Sequence, residues 1–300
     1  MLKLSKGALF ALAAAFCFSV MVLCTKASKL PSQEVIFSRS IFNLIASFTL
    51  LKYHNIPIFG QVRNRKYLIM RGIAGYAALS LYFYSIKFLP IGIASLIQYM
   101  SPVFSGIFAY LLIKESSSKN QWICLLLGLL GISFMTKVLP FGKIEGSINW
   151  VYWLCCLASA ALSGLAYSFV RKLSIRQENP EVTVFYFPLI SLPFSLFFML
   201  GNLVIPNALQ WLHIVIIGIT SYLGQVFLTY SLQLEKTVTA TNMLYFGALF
   251  ATIWGILFFN EQISIEFCIG AALIVGSQII FGNKKLPKED PLANEKLSLD

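Results

Sequence analysis

Ten apolar runs, at 7–25, 33–51, 67–88, 92–113, 121–137, 150–170, 182–202, 208–230, 237–259 and 263–282, leave little of this chain outside them. A helix needs roughly 20 apolar residues to cross about 30 Å of hydrocarbon. There, every backbone N–H and C=O must be paired within the segment or with a closed barrel neighbour. Runs of this length with short connections predict an all-α polytopic membrane protein of ten transmembrane helices. Composition excludes an ordinary soluble domain: 12% of the 300 residues are charged, against about 25% in soluble chains. The longest stretches outside the runs are 52–66, 138–149 and the tail from Gly282. That tail, GNKKLPKEDPLANEKLSLD, is charge-rich with two prolines, and its part over 284–300 reads as disordered. The opening MLKLSKGALFALAAAFCFSVMVLCTK mimics a signal peptide. Its apolar run is too long for one and ends at Lys26 rather than at a small-residue cleavage site, so it is read as the first span.

The runs form two sets. Tyr84–Glu115, YSIKFLPIGIASLIQYMSPVFSGIFAYLLIKE, falls on Tyr230–Glu261, YSLQLEKTVTATNMLYFGALFATIWGILFFNE, at an ungapped shift of 146 with eight of 32 positions identical. Tyr84/Tyr230, Tyr99/Tyr245, Phe104/Phe250 and Glu115/Glu261 are among them. LAAA at Leu12–Ala15 aligns with LASA at Leu157–Ala160, and Glu34-Val35 with Glu181-Val182, at offsets of 145 and 147. The chain is therefore read as one repeat over 7–137, a linking loop over 138–149 and a second repeat over 150–283. Five spans per repeat is an odd number, so the second copy enters the membrane upside down. Inverted repeats suit alternating access, because two near-equivalent halves can exchange conformations around a central site.

Charge sets the orientation. Sixteen Lys and Arg fall on the face that holds the N-terminus and five on the opposite face. Cytoplasmic loops retain positive charge, so both termini are expected inside. The net charge of +11 then belongs to loop retention, and no nucleic-acid partner is implied. The partners are the lipid bilayer and a small molecule, with a monomer sufficient and the oligomeric state open. The expected location is the plasma membrane, as in a bacterial inner membrane.

Pro90 and Pro102 in an apolar run closed by Glu115, then FFNEQISIEFCIGAALIVGSQIIF at Phe258–Phe281 with Gly270-Ala271-Ala272-Leu273 and Gly276, carry a family likeness. So does the F-x-R of Phe37–Arg39. Together they resemble the EamA type of the drug/metabolite transporter superfamily over 7–283. The resemblance implies two inverted five-helix repeats around a central cavity, with helices one, three, four, six, eight and nine near it. The chain departs from the pattern where Ala248 stands opposite Pro102, and where the first copy reads ESSSKNQWICLLLGLLG.

Polar groups inside hydrocarbon are costly, so their placement matters. In span four Ser95, Gln98, Tyr99, Pro102 and Ser105 share one helix face. Thr241, Tyr245, Ala248 and Thr252 repeat it in span nine, with Asn242 alongside. Span three offers Tyr76, Ser80, Tyr84 and Lys87, span eight Gln225, and span six Ser163 and Tyr167. Tyr99, Tyr245, Gln98, Asn242, Tyr84, Ser80, Gln225 and Tyr167 are the candidate substrate-binding residues. The competing reading is that these groups only hydrogen-bond neighbouring helices. Arg39 lies about 9 Å below the outer end of span two by helix rise, within snorkelling reach, and Glu34 is its candidate ion-pair partner. Arg71 reads as an anchor at the end of span three. Glu115 and Glu261 read as residues that cap or buttress helix junctions.

Absences narrow the chemistry. Both aspartates, Asp290 and Asp300, lie in the tail, and His54 and His213 are far apart. Neither HExxH nor a phosphate-binding G-x-x-x-x-G-K-[ST] occurs. The six cysteines form no CxxC and lie within apolar runs, so no disulfide framework, metal or cofactor is expected. An enzyme is not expected. The reading is a secondary transporter of a small organic metabolite, such as an amino acid, an amphiphilic drug or a nucleoside-like molecule. A passive channel is the nearer rival, a polytopic enzyme the more distant one. All twelve acidic residues lie in loops, tails or span ends, which favours uniport or exchange over proton symport.

Overall fold

The computed structural model describes residues 5–85, 88–89, 91–136, 150–200, 204–259 and 265–282. The linking loop 138–149 and the tail 284–300 lie outside them. The first repeat comprises α1 (Lys6–Ser28), α2 (Ser32–Tyr53), α3 (Arg65–Ser85), α4 (Ile91–Gln98), α5 (Ser101–Ile113) and α6 (Lys119–Met135). The second comprises α7 (Trp150–Ile175), α8 (Pro180–Met199), α9 (Ala208–Leu234), α10 (Thr237–Asn242), α11 (Phe246–Phe259) and α12 (Ile265–Ser277), the last continued by a π-helical turn over Gln278–Gly282. Among the described residues the chain is nearly all helix and no strand forms. Seven stretches are long and apolar enough to cross a membrane, and Lys119–Met135 and Ile265–Ile280 are shorter apolar helices. The chain is a multi-pass membrane protein. The remaining helix, α3, carries Arg65, Lys66 and Arg71 and packs between α7 and α8.

Local chemistry sets the helix ends. Ser5 accepts from Ala8 N at 3.1 Å and starts α1, and Lys29 in the left-handed region stops it. Reciprocal capping boxes start α6 at Ser118/Gln121 and α9 at Asn207/Gln210. Each of these pairs satisfies two backbone N–H donors that would otherwise face the bundle end without partners.

Two spans expected to be continuous are broken. α4 ends at Gln98 and α5 begins at Ser101, while α10 ends at Asn242 and a 3-10 turn over Met243–Tyr245 leads into α11. The breaks fall at the same register, Tyr99 in one repeat and Tyr245 in the other. In the first, Pro102 near the start of α5 has no N–H to donate back to α4. In the second, Ala248 keeps that donor and the chain tightens to 3-10 instead. The proline is therefore not what creates the break.

Contacts give each helix its direction. Gln210 Nε2 donates to Ser28 O at 3.0 Å while Gly7 meets Leu234 and Glu235, so α1 and α9 are antiparallel. Tyr67 lies by Phe169 and Lys172, and Tyr82 by Trp153, so α3 and α7 are antiparallel too. The same holds for α2 with α8, where Leu51 meets Val182 and Glu34 accepts from Val204 N. It holds for α6 with α12, where Cys124 meets Ser277 and Gly131 meets Gly270. In contrast α5 runs parallel to α7, and α11 to α1, through Ser168 with Ser105 O and Trp254 with Ser19. Exchanging each helix for its counterpart in the other repeat maps this contact set onto itself with all directions reversed. That is the signature of an inverted repeat. At the α6–α12 crossing a Cβ on Gly131 would sit 2.7 Å from Gly270 O. Only glycine permits that backbone approach, which helices in lipid use to gain dispersion contact.

Candidate functional site: a central cavity with two buried arginines

A cavity of about 410 Å³ lies where the two repeats meet, lined from α1, α3, α4, α5, α7, α9 and α11, with further side chains from α2, α6 and α8. Its size suits a small organic molecule. The lining begins at mid-bundle, beside the breaks at Pro102 and Ala248, and extends towards the end where α6 finishes at Thr136. The other end, where α1 begins, is here called the basal end. Among the described residues it is closed by polar ties between the repeats. Glu115 Oε2 accepts from Arg171 Nε at 2.7 Å, and its Oε1 from Thr237 N at 2.6 Å. Arg171 Nη1 also donates to the carbonyls of Leu232 and Gln233. One carboxylate and one guanidinium thus join the end of α5, α7, the end of α9 and the start of α10. Nearby, Asn64 Nδ2 and Gln61 N donate to Glu178. Glu261 lies outside the described residues.

Four of the candidate residues come together in the cavity: Gln98, Tyr99, Tyr167 and Gln225. Gln98 uses both ends of its amide on α7, donating to Ser163 Oγ at 2.9 Å and accepting from Ser159 Oγ at 2.8 Å. It ties the short α4 to its neighbour as well as lining the space.

The other four lie elsewhere. Tyr245 is wholly buried, edge-on to Tyr99 with ring centroids 6.0 Å apart. It fills the space left by Gly128, where a Cβ would come 2.7 Å from its Cε2. Asn242 is buried on the side of α6 and α12, donating to Gln121 O at 3.5 Å and accepting from Gln278 at its own carbonyl. Neither side chain lines the cavity, because the 3-10 turn rotates this face of the second repeat away from it. Ser80 and Tyr84 line a separate cavity of about 310 Å³ beside Glu34 and Phe198. They lie on the side of α3 that meets the start of α2 and the end of α8, and Tyr84 also meets Phe88 and Tyr152.

The expected pairing of Glu34 with Arg39 does not form. Glu34, in the first turn of α2, turns to Val204 N at 3.3 Å. Arg39, about one and a half turns further along α2, points inward and lines the cavity. It does not snorkel. Arg71 is not an end anchor either; it lines the same cavity and donates through Nη2 to Gln225 Oε1 at 2.7 Å. Both arginines are about 95% buried, and both guanidinium carbons lie near the Phe187 ring, at 5.4 Å for Arg39 and 4.8 Å for Arg71. Burying an ion costs several kcal/mol, while a cation over an aromatic face returns about 0.5–2 kcal/mol. The ring alone leaves a deficit. Arg39 Nε, Arg71 Nε and Arg71 Nη1 have no acceptor among the described residues. The signal available beforehand was the cost of charge within a span. Their distance from the predicted helix ends allowed a route to the interface that packing denies.

The comparisons with known proteins follow this geometry. Residues 5–137 and 150–282 each match the EamA-like transporter family. The pseudopaline exporter CntI of Pseudomonas aeruginosa is 32% identical over 285 residues, covering 94% of this chain and 98% of that protein. Solute carrier family 35 member G1 of Homo sapiens is 26% identical over 280 residues, covering 90% of this chain and 76% of that protein. A protein of known crystal structure shares the fold with a TM-score of 0.75 at 18% identity, over 90% of this chain and 94% of that one. With two matched repeats that fill the described helices, this chain is a multi-pass membrane protein that belongs to the EamA-like transporter family, within the drug/metabolite transporter superfamily.

Proposed function

We propose that the chain is a secondary transporter that carries a small organic metabolite across the plasma membrane by alternating access. The observation that carries this reading is the single central cavity, walled by both repeats at the breaks of their discontinuous helices. Broken helices at an inverted-repeat axis are where carriers place substrate. In this reading the ten helical segments are ten crossings, both termini are cytoplasmic and the basal end is the cytoplasmic face. The Glu115–Arg171–Thr237 tie then closes the inner gate of an outward-facing conformer. Substrate occupies the space between Tyr99, Tyr167 and Phe187, whose faces offer stacking. Every acidic residue of the described chain is engaged near a helix end or lies away from the cavity lining, which supports exchange or uniport rather than proton symport.

Counterflow in proteoliposomes tests the carrier. Vesicles preloaded with a metabolite extract should take up labelled metabolites transiently above equilibrium without a pH gradient. Linear, unsaturable flux would indicate a channel, and uptake only under an imposed proton gradient would indicate symport. For orientation, single cysteines at Lys143 and Lys285 in a cysteine-free background should label from outside and inside respectively. The reverse pattern would invert the assignment.

A further inference from the structure

The charge balance of the cavity is specific enough to name a substrate class. Arginine stays protonated in any protein environment, so Arg39 and Arg71 bring two fixed positive charges into one space. No Asp or Glu is among the described residues that line it. Of the six carboxylates among the described residues, four are employed elsewhere, Glu34 at Val204, Glu115 at Arg171, Glu178 at Asn64 and Glu181 at Tyr222 and Tyr230, and Glu235 and Glu266 lie outside the lining. Three guanidinium nitrogens are left without acceptors, and Gln225 already serves a fourth. A pair of desolvated cations that share one phenylalanine ring is unstable unless something negative enters.

We infer that the substrate is an organic anion bearing carboxylate groups, which Arg39 and Arg71 neutralise beside Phe187. This rests on the transporter reading above and deepens it. A carboxylate supplies acceptor lone pairs for planar guanidinium donors, and such charge-assisted bonds are the strong ones. Two fixed charges match a dicarboxylate best, because binding then leaves the cavity neutral. A phosphate group suits the site less well. It gathers its charge on one tetrahedral centre, whereas the two guanidinium groups stand on separate helices, α2 and α3, and can each face one end of a dicarboxylate. The remaining lining, with Phe18, Tyr82, Tyr99 and Leu244, fits a carbon body better than a hydrated inorganic ion.

The test is release from proteoliposomes loaded with mono-, di- and tricarboxylates, phosphate esters, neutral sugars, nucleosides and amines, read by mass spectrometry after the same mixture is added outside. Carboxylates, dicarboxylates first, should leave at least tenfold faster than from protein-free vesicles, and Arg39→Gln and Arg71→Gln should abolish that release. Release of neutral, phosphorylated or cationic solutes without carboxylates would overturn the inference and leave the transporter standing. No release of any class would overturn the transporter reading, and this inference with it. Melting of the unmutated protein in detergent supplies a reading independent of variant folding. Succinate should raise the melting temperature by several degrees and succinamide should not, and equal shifts would contradict the anion site. Without ligand, Arg71→Gln should melt no lower than the parent, because it removes an uncompensated charge. A lower melting point with carboxylate exchange intact would make the arginine a packing residue and end the proposal.

Discussion

Tyr99 and Tyr245 hold the same register in the two repeats, and the molecule treats them differently. Tyr99 faces the central cavity beside Gly247, whereas Tyr245 is sealed behind it against Gly128 and beneath Ile132 and Ile274. The helix breaks differ in the same sense, an open turn after Gln98 and a compact 3-10 turn over Met243–Tyr245. Equivalence in sequence is therefore not equivalence within one conformer. An inverted-repeat carrier that faces one side must hold its halves in two different shapes, and in the opposite-facing state the roles of these tyrosines are expected to exchange.

The largest effect should come from the buried member of the pair. Removing a fully buried large aromatic costs about 3–5 kcal/mol, so Tyr245→Ala should lower the detergent melting temperature sharply. Tyr245→Phe should be neutral or stabilising, since the buried hydroxyl has no partner among the described residues. A marked loss with phenylalanine would mean that the hydroxyl has a role this conformer does not reveal. Next comes the basal tie between Glu115, Arg171 and Thr237. Glu115→Gln weakens a charge-assisted bond worth about 1.5–3 kcal/mol. Distances between spin labels placed across the basal end should broaden towards an open population, and an unchanged distribution would show that the tie does not gate.

Smaller effects belong to the cavity side. Gln98→Ala strands Ser163 and leaves Ser159 its bond to Ala78 O, at about 1 kcal/mol in stability. Its signature is looser attachment of α4, visible as faster hydrogen exchange over 94–98 than over 102–113. Tyr99→Ala should be the mildest for the fold and selective for transport. A lost stacking partner is worth about 1 kcal/mol, so the half-saturation concentration for counterflow should rise several-fold while melting is nearly unchanged. If Tyr99→Ala melts like Tyr245→Ala, the contrast between the two repeats fails.

Much of this arrangement could be read from residues alone. Apolar run lengths and the 146-residue shift lead to the helical class and the inverted order, and Glu115 at the end of an apolar run suggests a junction residue. Gln98 and Tyr99 were legible because their helix carries polar groups on one face only. The arginines were not. Arg39 and Arg71 sit on helices that carry further polar groups, Ser40, Asn43 and Ser47 on one and Tyr76 and Ser80 on the other, and a polar face that meets a cavity differs from one that meets a neighbouring helix only through the packing of other helices. Phe187 was missed for the same reason, since a phenylalanine in an apolar run carries no sign of what lies above its ring. Asn242 and Tyr245 were placed in the cavity because the 146-residue shift assumes one conformation at both breaks, and the 3-10 turn over Met243–Tyr245 departs from it.

The claim that substrate passes through the inter-repeat cavity is tested most directly by filling it. Gly247 lines the cavity, and a Cβ there meets only Tyr99 Oη at 3.5 Å and Ala15 O at 3.7 Å. A larger side chain is therefore accommodated at its root and grows into the open space. Counterflow should be measured for the parent and for Gly247→Trp, reconstituted at equal amounts of protein with matching melting curves. The account predicts that Gly247→Trp abolishes counterflow while the fold persists. Counterflow at the parental rate through the filled cavity would contradict it.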